Sequence, residues 1–324
     1  MRQPPRGFTE RTAARRRLPP AAVLLTVGSL VLAACSSSPS ADANRAAGTS
    51  GRVVAVVAAE NFWGSIVSQI GGAHARVTSI ITNPNIDPHS YEPTTGDAKT
   101  LAGAQLVIEN GIGYDPWVPK LLAADQSQPT VLDVGHLLGV ADGGNPHRWY
   151  NPADVRRVIR QMVADLERLD PANSSYFARQ QTSFDTVALS RYSATIAAIK
   201  AKYAGTPVGA SESIFAMLAP ALGLNLVTPY RFLEAISEGT DVAAADKETI
   251  DNQIRNHRIK IYVYNRQNVT PDVQAQLREV RAEHIPLATI TETLDPAGST
   301  YQAWQTKQLL GIQAALAKAT GQGQ

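Results

Sequence analysis

One cysteine is all that this chain of 324 residues contains. A disulfide within the chain is therefore excluded, and so is a site built on several thiolates. Stability must come from the core. Nucleotide-binding loops are missing as well: neither GxGxxG nor GxxxxGK followed by Ser or Thr occurs, so nothing in the sequence supports a phosphate cradle. No HExxH stretch offers a compact hydrolytic metal helix. Beyond residue 34 no segment approaches the run of about 18 apolar residues that a membrane-spanning helix needs. Charged residues are sparse at 18% and apolar residues make up 44%, ordinary values for a globular chain. The length suits two domains.

What is present first is a basic, then apolar, N-terminus. Arg2, Arg6, Arg11, Arg15, Arg16 and Arg17 precede the apolar stretch from Ala21 to Ala34. That pattern predicts a secretory signal peptide over residues 1–34. It ends in Leu32-Ala33-Ala34-Cys35, which resembles a bacterial lipobox, where cleavage precedes the cysteine and the cysteine takes lipid. The alternative is a plain signal peptide with an incidental Cys35. Residues 35–51, small and polar, are expected to form the lipidated Cys35 and a flexible tether. The mature protein is then expected at the outer face of the cell membrane. The leader carries six arginines and one glutamate, so setting its +5 aside turns the formal charge of +2 into −3. The basicity belongs to the leader and gives no support for a nucleic-acid partner.

From Val53 on, short apolar runs alternate with helical periodicity. Strands are predicted at Val53–Ala58, Val77–Ile81, Gln105–Glu109 and Thr130–Asp133, and again at Pro207–Ala210, Asn225–Val227, Ile259–Tyr264 and Pro286–Ile290. Strands alternating with helices imply parallel α/β sheets. The intervening stretch is helical. Its second part, from Asn173 to about Lys202, predicts one long helix of about 45 Å at ~1.5 Å per residue. The expected organisation is an N-terminal α/β lobe at 52–172, a linking helix at 173–204 and a C-terminal α/β lobe at 205–324. Ligands of such sheets lie outside the carboxyl ends of the strands, here in a cleft between two Rossmann-like lobes.

Of the six histidines, His74, His136, His257 and His284 read as surface or element-end residues. His89 and His147 differ. Each follows a proline in a loop, in Asp87-Pro88-His89-Ser90-Tyr91-Glu92-Pro93 and Asn145-Pro146-His147-Arg148-Trp149. Proline restricts the backbone beside it, which suits a pre-organised metal ligand.

These two motifs resemble the histidine signatures of the zinc/manganese solute-binding lipoproteins of ABC importers. Asn110-Gly111-Ile112-Gly113 resembles that family's strand-end turn. Ile236-Ser237-Glu238-Gly239, followed by a helix and Ile261-Tyr262-Val263-Tyr264, resembles its second lobe. The likeness runs in order from about residue 52 to 320. It implies four metal ligands, two from each lobe. The first pair maps to His89 and His147. Counting back from Gly223-Leu224 places Glu212 third. The fourth, usually an aspartate after the last strand, maps to Glu292, with Asp295 as competitor. Glu92, Asp87 and carbonyls around Asn110 are expected to orient the first-lobe ligands; Trp149 and Phe215 read first as ordinary packing, with an apolar wall at the site as the alternative. Arg258, Lys260 and Arg266 read either as a solvated face or as a docking surface.

Two imidazoles and two carboxylates suit Zn2+ or Mn2+, with Fe2+ compatible. The resemblance implies a monomeric carrier that captures one such ion outside the cell and delivers it to an ABC permease with its ATPase. It implies no catalysis. The alternatives are a metal-dependent hydrolase and a surface adhesin or metallochaperone on the same fold. The long helix is expected to limit lobe movement, with ligand loops such as that of Glu292 moving most.

Overall fold

Residues 53–321, apart from 87 and 125, are described in this computed structural model. The expected signal peptide, Cys35 with its tether, and Asp87 lie outside the described residues.

The first apolar run forms β1 (Val54–Glu60). Its side chains alternate between two buried layers. Val54, Val56 and Ala58 face one core and Val57 and Ala59 the other. Burial on both faces is why the run is apolar throughout. Helix α1 (Asn61–Gly71), β2 (Ala75–Ile81), α2 (Thr95–Ala102), β3 (Leu106–Glu109), α3 (Trp117–Ala123), β4 (Thr130–Asp133), α4 (Val134–Leu138) and α5 (Pro152–Leu169) complete the first lobe. Helix α2 starts with a capping box: Thr94 accepts from Asp97 N–H, and the Asp97 carboxylate accepts from Thr94 N–H at 2.7 Å. The same carboxylate accepts from Tyr91 Oη at 2.9 Å, which ties down the end of the His89 loop. Helix α5 starts as Asn-Pro dictates, with Asn151 capping and Pro152 in the first turn.

The second lobe holds β5 (Pro207–Ala210), α8 (Ile214–Leu218), β6 (Asn225–Leu226), α9 (Tyr230–Ser237), α10 (Ala244–Arg255), β7 (Tyr262–Asn265), α11 (Pro271–Ala282), β8 (Leu287–Ile290) and α12 (Tyr301–Ala319). Two helices, α6 (Ser174–Ser183) and α7 (Ser190–Tyr203), run between the lobes. Each lobe has one four-stranded parallel sheet, ordered β2-β1-β3-β4 and β6-β5-β7-β8. The two-lobed α/β architecture read from the sequence is the one observed.

The stretch between the lobes departs from a uniform α-helix. A π turn at Phe184–Ala188 separates α6 from α7, and Leu189 N–H reaches back to Phe184 O at 2.9 Å. Thr182 and Thr186 donate their hydroxyls to the carbonyls of Ala178 and Thr182, at 3.1 and 2.7 Å. Such bonds compete with the regular helical ladder, and periodicity alone does not register them.

A second tie between the lobes has no counterpart in the sequence reading. At the start of α12, Tyr301 Oη donates to Trp149 O at 2.6 Å and its N–H donates to Ser65 Oγ at 2.9 Å. Just before it, Leu294 N–H donates to Asn61 Oδ1 at 3.2 Å. Among the described residues, no helix is long and apolar enough to cross a membrane.

Candidate metal centre

Four loops at strand carboxyl ends bring the centre together. His89 lies in a 3-10 turn, Pro88–Ser90, on the connection after β2. His147 follows β4 and α4 and precedes a 3-10 turn, Arg148–Tyr150. Glu212 comes two residues after β5 and Glu292 two residues after β8. One ligand atom from each of His89, His147, Glu212 and Glu292 falls within 4.8 Å of all the others. His89 Nε2 stands 3.5 Å from His147 Nε2 and 3.6 Å from Glu292 Oε2. The structure thus brings together the four residues selected from the sequence. Asp295 is elsewhere, in an ion pair with Arg266.

Local chemistry sets the His147 ring. Asn145 Oδ1 accepts from His147 N–H at 3.1 Å, an Asx turn written in Asn-Pro-His. The same oxygen lies 2.9 Å from His147 Nδ1. The other end of that amide, Asn145 Nδ2, donates to Ser213 O at 2.8 Å, which fixes which atom faces the ring. An amide oxygen only accepts, so Nδ1 carries the proton and Nε2 presents its lone pair to the centre. Burial, and then the neighbouring His89, hold His147 well below the usual histidine range, so the ring is neutral. Beneath the turn, Trp63 Nε1 donates to Asn110 Oδ1 at 3.1 Å, and Asn110 Nδ2 donates to Pro146 O at 2.9 Å. Asn110 therefore acts through its side chain, on the turn, and not through a carbonyl on a ring. Glu92 is exposed and takes no part in orienting the ligands. Trp149 is fully buried, stacked on Phe62 at 3.9 Å and edge-on to His147 at 5.3 Å, and Phe215 is buried too.

The carboxylates are held by residues that the sequence reading omits. Asn265, the last residue of β7, donates through Nδ2 to Glu212 Oε2 at 2.6 Å and to Glu292 Oε1 at 2.7 Å. Asn268 Nδ2 donates to Glu212 Oε1 at 3.2 Å. Tyr114 Oη donates to Glu292 Oε2 at 2.8 Å from the first lobe. Gln267 Oε1 accepts from Glu292 N–H at 2.6 Å, while its Nε2 donates to Pro84 O at 2.6 Å on the His89 loop.

Glu212 and Glu292 are 1% and 0% exposed. Burial first, and then the charge of Glu292, push Glu212 up to about 8, against the pull of Asn265, His89 and Asn268. Two buried carboxylates sharing one amide repel each other. A divalent cation between them would relieve that repulsion, and the two imidazole lone pairs would make up a four-donor set. The remaining histidines stand apart: His136, His257 and His284 are exposed, and His74 ends a 3-10 turn against Tyr176.

Comparison with known proteins adds three findings. The family described as zinc-uptake complex component A, periplasmic, matches residues 56–315. Curated relatives include a manganese-binding lipoprotein, MntA, of Halalkalibacterium halodurans, 24% identical over 139 residues, which are 41% of this chain and 46% of that protein. Another is the iron-binding protein YfeA of Yersinia pestis, 27% identical over 126 residues, 37% and 40% of the two chains. The chain thus spans less than half the length of these relatives. Among solved structures, a Mn-bound S38A mutant periplasmic metal-binding protein from Candidatus Liberibacter asiaticus superposes with a TM-score of 0.69. It is 18% identical and covers 81% of this chain and 99% of that one. FpvC of Pseudomonas aeruginosa with Ni2+ gives 0.66 at 20% identity, covering 83% and 98%. At these identities the structural likeness speaks for the fold.

Proposed function

Since the chain belongs to the family of periplasmic zinc-uptake component A proteins, matched through both lobes, we propose that it captures one divalent transition-metal ion outside the cell and delivers it to an ABC importer. His89, His147, Glu212 and Glu292 are the proposed ligands. The observation that carries this reading is their convergence within 4.8 Å from four separate loops. A fold has little reason to bury two carboxylates beside two imidazoles unless a cation is their common partner.

The set balances a 2+ charge and suits Zn2+ or Mn2+, with Fe2+ compatible. Four protein donors fill a tetrahedral ion and leave no coordination position for an activated water. The proposal therefore includes no catalytic step. Delivery completes it: the ion is cargo, passed to a permease and its ATPase, with lipid on Cys35 keeping the carrier at the outer face of the membrane.

Elemental analysis of the purified protein, equilibrated in turn with Zn2+ and Mn2+, tests the reading. One ion per chain is expected, falling to near zero in a Glu212→Ala, Glu292→Ala double variant that keeps its circular dichroism. A wild-type chain that retains no ion would sink the proposal. Metal-labelled membranes would locate the carrier and its Cys35→Ser form.

A further inference from the structure

The centre is deep, yet an ion has to reach it. Of the four side chains, His89 keeps 20% exposure and Glu292 none; His147 and Glu212 are buried to within 1%. His89 is also the one member of the set that lines a cavity of about 300 Å3 between the lobes. Ser213 lies at its floor, 3.4 Å through Oγ from His147 Nδ1. The cavity therefore leads from the surface to the ligands.

Its two walls differ in chemistry. The first-lobe wall includes Gly113, Gly143 and Gly144. Gly113 and Gly143 have φ of +76° and +82°, and a Cβ on either would meet nothing within 4 Å. Turn geometry, not tight packing, calls for glycine there. The result is a wall of bare backbone with room for an ion that still carries water. The second-lobe wall runs along α9, from its first residue Tyr230 through Glu234 to Glu238, which caps its C-terminus. Glu234 and Glu238 are four residues apart and share a helix face. No ion pair among the described residues engages either carboxylate. Arg148 is committed to Asp154 at 2.5 Å. Burial first, then Glu234 and further Glu238, raise the Tyr230 hydroxyl above its ordinary range, against the pull of Asn145 and Arg148.

We propose that this cavity is the passage by which the divalent cation enters and leaves, with Glu234 and Glu238 gathering it at the mouth and His89 receiving it first. The inference rests on the capture reading above and adds the route. Two negative charges outside any ion pair, beside low-dielectric walls, concentrate cations and raise association rates by roughly 10- to 1000-fold. The effect is screened by salt. Since neither glutamate belongs to the four-ligand set, their removal changes the rate of uptake more than the affinity.

Stopped-flow tryptophan fluorescence with Mn2+ and with Zn2+ tests the route, since Trp149 lies against His147. In the full chain, Glu234→Gln with Glu238→Gln should lower the association rate about tenfold at low ionic strength. It should also flatten the salt dependence of that rate, with a smaller change in Kd. Glu238→Lys alone, at an exposed position, should slow uptake further without threatening the fold. If wild type binds the ion and both variants take it up at the wild-type rate with the wild-type salt dependence, the passage is wrong and the capture reading stands. If wild type binds neither ion, both are wrong.

Discussion

Tyr114 donates its hydroxyl to Glu292 Oε2 at 2.8 Å, from the first lobe to a proposed ligand on the second. The ring is 1% exposed and meets the His89 ring edge-on at 4.7 Å. One phenol thus sets the orientation of a carboxylate and packs an imidazole. Hydrogen bonds to a charged group are worth about 1.5–3 kcal/mol, and residues that orient metal ligands typically matter by about 10- to 100-fold in affinity. Tyr114→Phe keeps the packing and removes the bond. Its metal affinity, measured by competition with a chelator, should fall about tenfold; wild-type affinity would show that Glu292 is oriented without it.

Asn265 makes a sharper case, because its one amide nitrogen serves both carboxylates. Asn265→Asp replaces that donor with a third buried carboxyl beside Glu212 and Glu292. Like charges there raise the free energy of the metal-free fold. The variant should melt below wild type when metal-free and regain most of the difference on loading, since bound ligand stabilises by mass action. Equal losses in both states would mean that Asn265 serves packing alone.

How much of this was legible in the sequence varies with distance along the chain. His89 and His147 announce themselves locally, each behind a proline, and Asn-Pro-His even encodes the Asx turn that aims its ring. Glu212 and Glu292 have no such local mark, and only the order of family-like motifs selects them. Asn265 and Tyr114 carry no sign at all: their bonds to Glu212 and Glu292 span 53 and 178 residues. The fold follows the same rule. Strand–helix alternation is periodic and readable, whereas the ties from Tyr301 and Leu294 to the first lobe exist only after both lobes have formed.

Metal binding should be coupled to protons. In the metal-free fold Glu212 is raised to about 8, chiefly by burial and then by Glu292, so at neutral pH it is largely protonated. A ligand carboxylate must be ionised. Binding below pH 8 therefore displaces a proton, and apparent affinity rises with pH until about 8, then levels. Calorimetry in buffers of different ionisation enthalpy should count close to one proton released per ion at pH 7. Glu212→Gln should lower affinity and abolish that proton; a pH-independent affinity between 6 and 8 contradicts the assignment.

A second acidic group lies under the first-lobe loop. Glu109 is pushed up to about 8 by burial and then by Asp115 and Asp133. Asp115 accepts from Asn110 N–H and Gly111 N–H at 2.7 and 2.8 Å. It is nonetheless raised to about 6 by burial. Both folded values exceed those of the unfolded chain, so the folded state binds more protons. Stability from Glu109 is complete below about pH 4.5 and is lost as pH rises through 8. In metal-free protein, Glu109→Gln should raise Tm at pH 8 to 9 and change it little at pH 5. The opposite sign would mean that Glu109 is ionised and paired in the fold.

Ion release needs movement, and the interlobe contacts limit its kind. Tyr150 Oη donates to Thr291 O at 2.7 Å, Tyr301 Oη to Trp149 O at 2.6 Å and Leu294 N–H to Asn61 Oδ1 at 3.2 Å, all between lobes and all buried. A hinge rotation of tens of degrees would break them together, at about 1 kcal/mol net for each bond, and would also expose the aromatic rings between them. Local change in the loops is less costly, because Gln267 bonds the His89 and Glu292 loops to each other beside the direct approach of His89 to Glu292 at 3.6 Å, and few contacts have to yield. Spin labels on the two lobes should therefore report nearly equal distances with and without metal, while hydrogen exchange at residues 83–91 and 291–295 slows on loading. Gln267→Ala should speed exchange in both loops together. A large change in the interlobe distance would show that the ties at α12 yield before the loops do.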